Sequence, residues 1–374
     1  MFGIQDCLDC LDKLCELGSS PGARTALLDV RAPDLGRMNR LLRSRPSSLL
    51  RPYLWSRTCS GLGAAAAPDI DKLTSRREQI TQLEALLNGS APIIAVADFM
   101  RETGMSKLEL YIREGDDDFG VSTAGLATLA CTFGAHTALA ELSLIGGLGP
   151  DSARALADGL RANSSVTSLS LVGTPIGEEG ASALSTALAT DAMLTTLSLP
   201  YCGIGPAGGV ALAGALRTNT ALRYLDLTGN HLCGKQQLPG GVWDGEHTAV
   251  AMAALADALP HSAVTSLNLR HNELEDAGCV ALAAALRADA PLATLNLQLN
   301  SLGDAGAIAL LDSLETNTSA RSIDLRENKL GKAAIKDAQI GLARRRAEAG
   351  LLGRISVELS EKHAKLWPKD SQIG

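Results

Sequence analysis

The feature that most constrains this chain is a leucine pattern with a period of 28 residues. Residues 292–302 read L-x-x-L-x-L-x-x-N-x-L. The second leucine of that pattern, or the isoleucine that replaces it, occurs at Leu108, Leu142, Leu169, Leu197, Leu225, Leu267, Leu295 and Ile323. The spacings are 34, 27, 28, 28, 42, 28 and 28, so the first unit contains an insertion of about six residues and the fifth one of fourteen. Such self-similarity predicts that the same supersecondary unit is repeated along the chain and that the copies stack on one another.

Each unit combines a strand period with a helix period. The L-x-L leucines fall on one face of a short strand. A second apolar pair, spaced by four residues, falls on one face of a helix. These helix pairs are Leu129/Phe133, Leu156/Leu160, Leu184/Leu188, Leu212/Leu216, Leu255/Leu259, Leu282/Leu286 and Leu310/Leu314. One unit cannot bury its apolar face alone, so the units must stack.

Polar residues and glycines recur between the strand and the helix. Asp276 and Asp304 stand where a helix N-cap is expected, and Gly278 and Gly306 are predicted to permit close approach of helix to strand. Side chains that are expected to hydrogen-bond the neighbouring turns are Asn230, Asn272, Asn300 and Asn328. Earlier units have Gly147, Thr174 and Cys202 at this position, so the ladder is expected to be incomplete.

The pattern resembles that of ribonuclease-inhibitor-type leucine-rich-repeat proteins. The 28-residue unit with a full helix, as in residues 295–306 (LNLQLNSLGDAG), is the motif of that subtype. The resemblance covers about residues 105–347. It implies an α/β solenoid of about eight units, with a curved parallel sheet inside and helices outside. The family includes enzyme inhibitors, GTPase activators, innate-immune receptors, actin-end caps and ciliary scaffolds, so the fold alone does not select a function.

The regions outside the repeats predict a three-part organisation. Residues 69–88 have the apolar spacing of a helix that ends at Gly89, whereas residues 21–68 are interrupted by prolines. We therefore expect a small helical capping or docking region over residues 1–104, Arg-rich at 24–57. The solenoid follows over 105–347, with its insertion near 233–246, and a tail covers 348–374. The polar end of the last repeat, with Arg344, Arg345 and Arg346, suits the end of a solenoid.

Charge is distributed in blocks. Residues 24–57 carry eight arginines against two aspartates, residues 329–374 have a net charge of +5, and residues 100–328 have a net charge of −13. The overall charge of −7 disfavours a nucleic-acid binder. No apolar stretch reaches 18 residues, so we expect no membrane span. An acidic N-terminus argues against a targeting peptide, and scattered cysteines are typical of a reducing compartment. We therefore expect a cytoplasmic protein.

Motifs that carry chemistry are not found in the sequence. It has no phosphate-binding loop, metalloprotease helix or nucleophile elbow. Cys7 and Cys10 have metal-ligand spacing without a second pair, and a structural role is favoured. Residues 116–118 form an acidic run for which a solvated loop is favoured over a cation site or a basic partner. A metal site is also disfavoured at His231, Cys233, His247 and His271. We expect no enzyme activity, cofactor or metal.

Three places are candidates for partner binding. The concave face of the sheet carries Tyr224, Asp226, Arg270, Asn296, Gln298, Asp324 and Arg326. Binding there competes with the alternative that short polar groups merely fill a crowded face. Trp243 of the insertion is either an exposed anchor or packed against a neighbouring unit. The basic arm of Arg40, Arg43 and Arg45 docks on the acidic solenoid, binds an acidic protein partner or is simply solvated, and nucleic acid is disfavoured there because the solenoid would repel phosphate.

These features predict an interaction scaffold that belongs to a larger assembly. The chain resembles the leucine-rich-repeat subunits of the algal nexin–dynein regulatory complex, a resemblance that implies a subunit of a cytoskeletal complex in the axoneme of a cilium or flagellum. The alternatives are a GTPase activator of the Ran-activator type and an actin-end cap or immune-type sensor. The basic C-terminal tail disfavours the first alternative, and the absence of a phosphate-binding loop disfavours a sensor.

Overall fold

The computed structural model describes residues 25–28, 82–87, 106–112, 130, 138–146, 148–234, 236–237, 243–331, 336, 340 and 356–358. It divides into two compact units, Met1–Thr174 and Pro175–Gly374. No helix within the described ranges is both long and apolar enough to cross a bilayer.

The first unit contains a parallel sheet whose strands follow chain order. Its elements are β1 Thr25–Leu28, β2 Gln82–Leu87, β3 Lys107–Ile112, β4 Glu141–Gly146, α1 Pro150–Ala162 and β5 Ser168–Val172. Leu108 pairs with Leu142, which pairs with Leu169, and all three are buried. These are the predicted repeat positions, so the strand register was predicted correctly here.

The second unit repeats strand and helix with the same register. Its elements are α2 Gly177–Leu188, β6 Thr196–Ser198, α3 Gly205–Leu216, β7 Tyr224–Asp226, β8 Gln236–Gln237, β9 Trp243–Asp244, α4 Val250–Ala258, a 3₁₀ turn Leu259–His261, β10 Ser266–Asn268, α5 Glu275–Arg287, β11 Thr294–Asn296, α6 Asp304–Ser313, β12 Ser322–Asp324 and β13 Ser356–Glu358. Strands β6, β7, β10, β11, β12 and β13 form a parallel sheet in that order. The predicted α/β leucine-rich-repeat fold is confirmed.

An aliphatic core lies between the strands and the helices. Leu267 and Leu269 of the L-x-L pair are at most 1% exposed, and so are Leu282 and Leu286 of the following helix. Burying one such leucine stabilises the fold by about 1.5–3 kcal/mol. The residues before and after each central leucine are only half-buried, or exposed at Thr294, so they occupy the sheet face opposite the helices.

The predicted asparagine ladder is confirmed. The side-chain oxygen of Asn272 accepts the backbone N–H of Asn230 at 3.0 Å, and that of Asn300 accepts the N–H of Asn272 at 2.9 Å. Asn328 repeats the bond with Asn300, and Asn230 repeats it with Cys202. Each side-chain amide also donates to a carbonyl of the preceding repeat, just beyond its strand, as Asn272 does to Leu227 O at 2.8 Å.

The predicted N-cap role of Asp276 is wrong. Asp276 is the second residue of α5, and Leu274 occupies the N-cap position without a side-chain cap. The Asp276 carboxylate instead accepts the N–H groups of Gly303 and Gly306, at 2.8 and 3.0 Å, at the start of α6. Asp304 likewise opens α6 and accepts the N–H of Gly331. Each carboxylate lies beside the next repeat and accepts backbone N–H groups there.

The recurring glycines permit contact between neighbouring helices rather than between helix and strand. A Cβ at Gly306 would lie 2.6 Å from Asp276 Oδ1 and 3.1 Å from Cys279 Cβ, both on α5. A Cβ at Gly278 would lie 3.1 Å from Leu274 Cβ of its own repeat and 3.2 Å from Met252 Cγ of α4. The earlier expectation is therefore corrected, because a side chain at these positions would push adjacent repeats apart.

Strands also occur outside the predicted solenoid. The helix predicted over residues 69–88 is wrong for Gln82–Leu87, which is a strand that pairs with β3. Leu83 and Leu87 are four residues apart, a spacing that suits a helix face as well as alternate positions of a strand. Strand β13 lies within the predicted tail and pairs with β12. The other boundaries proposed for residues 1–104 and 348–374 stay predictions.

Candidate partner-binding face

The sheet face opposite the helices of the second unit, called here the open sheet face, carries two rows of side chains. The strand row follows the central leucine of each strand and comprises Ser198, Asp226, Asn268, Asn296 and Asp324. The turn row lies two residues further along each repeat and comprises Pro200, Thr228, Arg270, Gln298 and Arg326. All the predicted concave-face residues lie in these rows, except Tyr224, which begins β7.

A local hydrogen bond links the two rows in four consecutive repeats. The Oδ1 atom of each strand-row residue accepts the backbone N–H two residues later. The pairs are Asp226 with Thr228 at 2.9 Å, Asn268 with Arg270 at 3.1 Å, Asn296 with Gln298 at 3.0 Å and Asp324 with Arg326 at 3.0 Å. Asp and Asn favour this turn because their short side chains reach the backbone nearby. The side chains of the strand row are thereby held in a fixed orientation on the backbone of the turn row.

The β7 end of the face is a hydrogen-bonded group around Asp226. Thr228 Oγ1 donates to Asp226 Oδ1 at 2.7 Å, and Asn268 Nδ2 donates to Oδ2 at 3.1 Å. The Tyr224 hydroxyl lies 3.4 Å from the same Oδ2. Burial raises the pKa of Tyr224, and the negative charge of Asp226 adds to the rise. Tyr224 is therefore a neutral donor at physiological pH.

The β12 end is an ion pair. Arg326 Nε lies 3.0 and 3.1 Å from the two oxygens of Asp324, and Gln298 Nε2 donates to Oδ2. Burial raises the pKa of Asp324, but hydrogen bonds from Arg326 and Gln298 outweigh that effect and hold it below its usual value. The charges of Asp324 and Arg326 offset one another within this face.

Sequence reasoning missed an aromatic pair beside these rows. Tyr201 follows Pro200 in its repeat as His271 follows Arg270, and their rings meet edge to face with centroids 6.3 Å apart. Tyr201 is 52% exposed. Its ring lies over Gly229, where a Cβ would collide with it. The signal available in the sequence was the shared repeat position of Tyr201, Gly229 and His271.

The His and Cys residues that were considered for a metal site have other surroundings. His247 Nε2 lies 3.2 Å from Leu274 O, and His271 faces Tyr201. Cys233 is buried, and burial, with Glu275 and Glu273 nearby, raises its pKa to about 12. Within the described ranges no group of three His, Cys, Asp or Glu residues is arranged to hold a metal ion.

The fourteen-residue insertion contains a short antiparallel hairpin. Gln236 pairs with Asp244, and Gln237 pairs with Trp243. The Thr248 N–H donates to Cys233 O at 2.9 Å, which closes the base of the insertion. The contacts of the Trp243 side chain lie outside what the structure describes, as do Arg40, Arg43, Arg45, residues 116–118, Cys7 and Cys10. Their proposed roles stay predictions.

Comparisons with known proteins agree with the repeat assignment. A family model described as "Leucine Rich repeat" matches residues 162–185, 190–213, 262–283 and 290–311. Each segment includes one strand and most of the following helix. No curated protein sequence matches the chain.

Two solved structures illustrate the similarity. Leiomodin-1 actin-binding site 2 is 25% identical over 31% of this chain and 68% of that chain, with a TM-score of 0.26. TLR13 in its complex with ssRNA13 is 15% identical, with a TM-score of 0.41. That match covers 76% of this chain and only 33% of the receptor chain.

Proposed function

We propose that this chain is a non-enzymatic protein-interaction scaffold that binds its partner through the open sheet face. The observation that carries the proposal is the bond between the strand row and the turn row in four successive repeats. It orients the side chains of Asp226, Asn268, Asn296 and Asp324 and fixes the backbone of the turn row that follows them. Side chains that are ordered before binding lose less entropy on association, which favours affinity.

The proposed setting is a cytoskeletal complex of the axoneme in a cilium or flagellum. It is supported by the resemblance to nexin–dynein regulatory complex subunits and by the separation of a net charge of −13 over residues 100–328 from two basic flanks. Segregated charge of this kind favours steering within an assembly of proteins. Trp243 and the arm of Arg40, Arg43 and Arg45 are proposed as further contacts with the same assembly.

The test compares two double variants of the tagged full-length chain. Asn296→Lys with Gln298→Lys places bulk and charge in the centre of the open sheet face. Ala277→Lys with Ala284→Lys adds the same charge to exposed positions of α5 and serves as the matched control. After affinity purification from the source cell and mass spectrometry, we expect axonemal proteins with the wild type and the control, and at least a tenfold loss with the face variant.

Other outcomes would reject parts of the proposal. Equal recovery of partners by the face variant would show that binding occurs elsewhere on the chain. Acceleration of GTP hydrolysis by a Ran-like GTPase would favour the activator alternative, and co-sedimentation with actin filaments would favour an end cap. Recovery of no cytoskeletal protein would contradict the axonemal setting.

A further inference from the structure

The open sheet face carries one cation that the described residues leave without a partner. Arg270 is exposed, and its guanidinium makes no hydrogen bond or ion pair with any residue in the described ranges. The other five arginines of residues 175–331 do make such contacts. Arg217 pairs with Asp257, Arg326 pairs with Asp324, and carbonyl oxygens accept from Arg223, Arg287 and Arg321.

Arg270 is also held in place by its backbone. Its N–H donates to Asn268 Oδ1, and its carbonyl accepts the N–H of Gly229 at 2.9 Å. It therefore lies between Thr228 and Gln298 in the turn row, which are both uncharged. The nearest carboxylates of the strand row, Asp226 and Asp324, are occupied by the donors described above. The backbone of Arg270 is therefore fixed, while its guanidinium is available to bind a partner.

The Tyr201–His271 ring pair provides an apolar surface next to this charge. Its edge-to-face geometry and its seat on Gly229 restrict the ring of Tyr201, although about half of that residue is exposed. Tyr and Arg, with Trp, are the residue types enriched among the anchors of protein interfaces, because they combine a large contact area with directional hydrogen bonds. Here Arg270 directly precedes His271, whose ring meets that of Tyr201.

We propose that Arg270, with Tyr201 and His271 beside it, is the anchor of this face and binds an Asp or Glu side chain of the partner protein. This inference rests on the proposed function and names the chemistry of the partner. A guanidinium matches a carboxylate with two parallel hydrogen bonds, whereas a lysine would act as a point charge. The ring pair receives the residues that flank the bound carboxylate.

The partner segment carries an isolated carboxylate rather than a run of them. Residues 175–331 have sixteen Asp or Glu and eight Lys or Arg, a net charge of −8. Like charges within a Debye length of about 8 Å repel, so a polyanion gains little from one cation on this surface. The expected sequence is therefore a single Asp or Glu among uncharged or basic residues, and neither nucleic acid nor a polyacidic tail fits.

The test is selection of random peptides by display on the immobilised full-length chain. Wild type, Arg270→Glu, Arg270→Lys and the control Arg287→Glu are used in parallel; Arg287 is exposed at the end of α5, away from this face. We expect peptides selected on wild type to share one acidic residue. Those peptides should bind Arg270→Glu about 30-fold more weakly or worse, Arg270→Lys with an intermediate loss, and the control as well as wild type. Selection on Arg270→Glu should yield a basic residue instead.

The outcomes separate this inference from the proposed function. Peptides that bind Arg270→Glu normally but lose binding to the Asn296→Lys, Gln298→Lys variant would overturn the anchor and leave the function intact. Peptides insensitive to both, or no selected peptide, would count against both proposals. Selection of acidic runs, or binding of a single-stranded DNA oligonucleotide that Arg270→Glu abolishes, would overturn the single-carboxylate partner. Should Arg270→Glu melt at a lower temperature, Arg270→Gln gives the same readout without charge reversal.

Discussion

Asparagine joins neighbouring repeats because its short side chain offers an acceptor and two donors at once. Asn272 uses all of them. Its oxygen accepts the Asn230 N–H, and its amide donates to Leu227 O and, at 3.1 Å, to Leu269 O and Arg270 O. Aspartate would supply no donor, and glutamine would need a longer path. The ladder ends at Cys202, whose N–H is accepted by Asn230.

The ladder predicts that replacing asparagine by alanine lowers the unfolding free energy by different amounts at two positions. Asn272→Ala leaves buried backbone groups of two repeats without partners, and each such group costs about 1–3 kcal/mol, so we expect a loss of about 2–4 kcal/mol of unfolding free energy. Asn296→Ala removes one bond on a half-buried side chain, and a loss of about 1 kcal/mol or less is expected. Chemical denaturation of both variants checks the difference; equal losses would contradict the ladder as the reason.

Helix starts are stabilised by the repeat that precedes them. Glu178 of α2 lies 3.2 Å from the Ala207 N–H of α3, and Asp276 and Asp304 serve the next repeat in the same manner. Pro206 occupies the corresponding position in α3. The side chain thus satisfies N–H groups that have no partner within their own helix. A carboxylate of one helix thus helps to stabilise the start of the next helix.

This arrangement predicts that Asp276→Ala destabilises more than Asp151→Ala. Both residues are second in their helices, so both interact similarly with the helix dipole. Asp151 makes an exposed contact with Arg154 in its own helix, whereas Asp276 accepts two N–H groups of α6. Loss of a cap costs about 0.5–2 kcal/mol, and the exposed pair contributes about 0.5 kcal/mol or less. Urea denaturation that ranks the two variants in the opposite order would refute the cap.

Strands and helices could be predicted where the spacing of the apolar residues fits only one of the two. The first residue of the L-x-L pair falls in a strand in all eight units, because alternating leucines followed by a helical pair leave no other arrangement. The spacing of Leu83 and Leu87 fits both a helix and a strand, and the segment forms a strand because it pairs with β3. The caps were misassigned because the sequence does not show whether a carboxylate at a helix start caps its own helix or the helix of the next repeat. Tyr201 and His271 are 70 residues apart, and the absent side chain of Gly229 lets them meet.

At the scale of the whole molecule, stability is expected to depend on contacts between adjacent repeats. Stacked repeats behave as coupled units whose interfaces carry much of the free energy. In the second unit, α2 to α6 pack in chain order against one another. A defect in one repeat should therefore weaken its neighbours and lower the melting temperature of the array as a whole.

Substitutions in the core test this coupling. Leu269 and Leu297 are fully buried in adjacent repeats, so Leu269→Ala and Leu297→Ala should each cost about 2–5 kcal/mol. Val280, which is 47% exposed on α5, provides the control, since Val280→Ala should change stability by about 0.5 kcal/mol or less. Calorimetry should show one transition shifted by each leucine variant. Separate transitions, or melts unchanged by both variants, would mean that the repeats are not coupled through these residues.

The charge blocks lead to the last prediction, which concerns the whole chain. Changing Arg40, Arg43 and Arg45 together to Glu alters the charge of the basic arm by six units and brings acid toward a segment of net charge −13. If the arm binds an acidic protein, association should weaken steeply with added salt in the wild type, because screening acts over about 8 Å. The triple variant should then lose that association while its melting temperature stays unchanged. A lower melting temperature with intact partner binding would instead identify the arm as an internal cap, since repulsion would then act within the molecule. Measuring melting and salt-dependent binding on the same preparations separates the two roles.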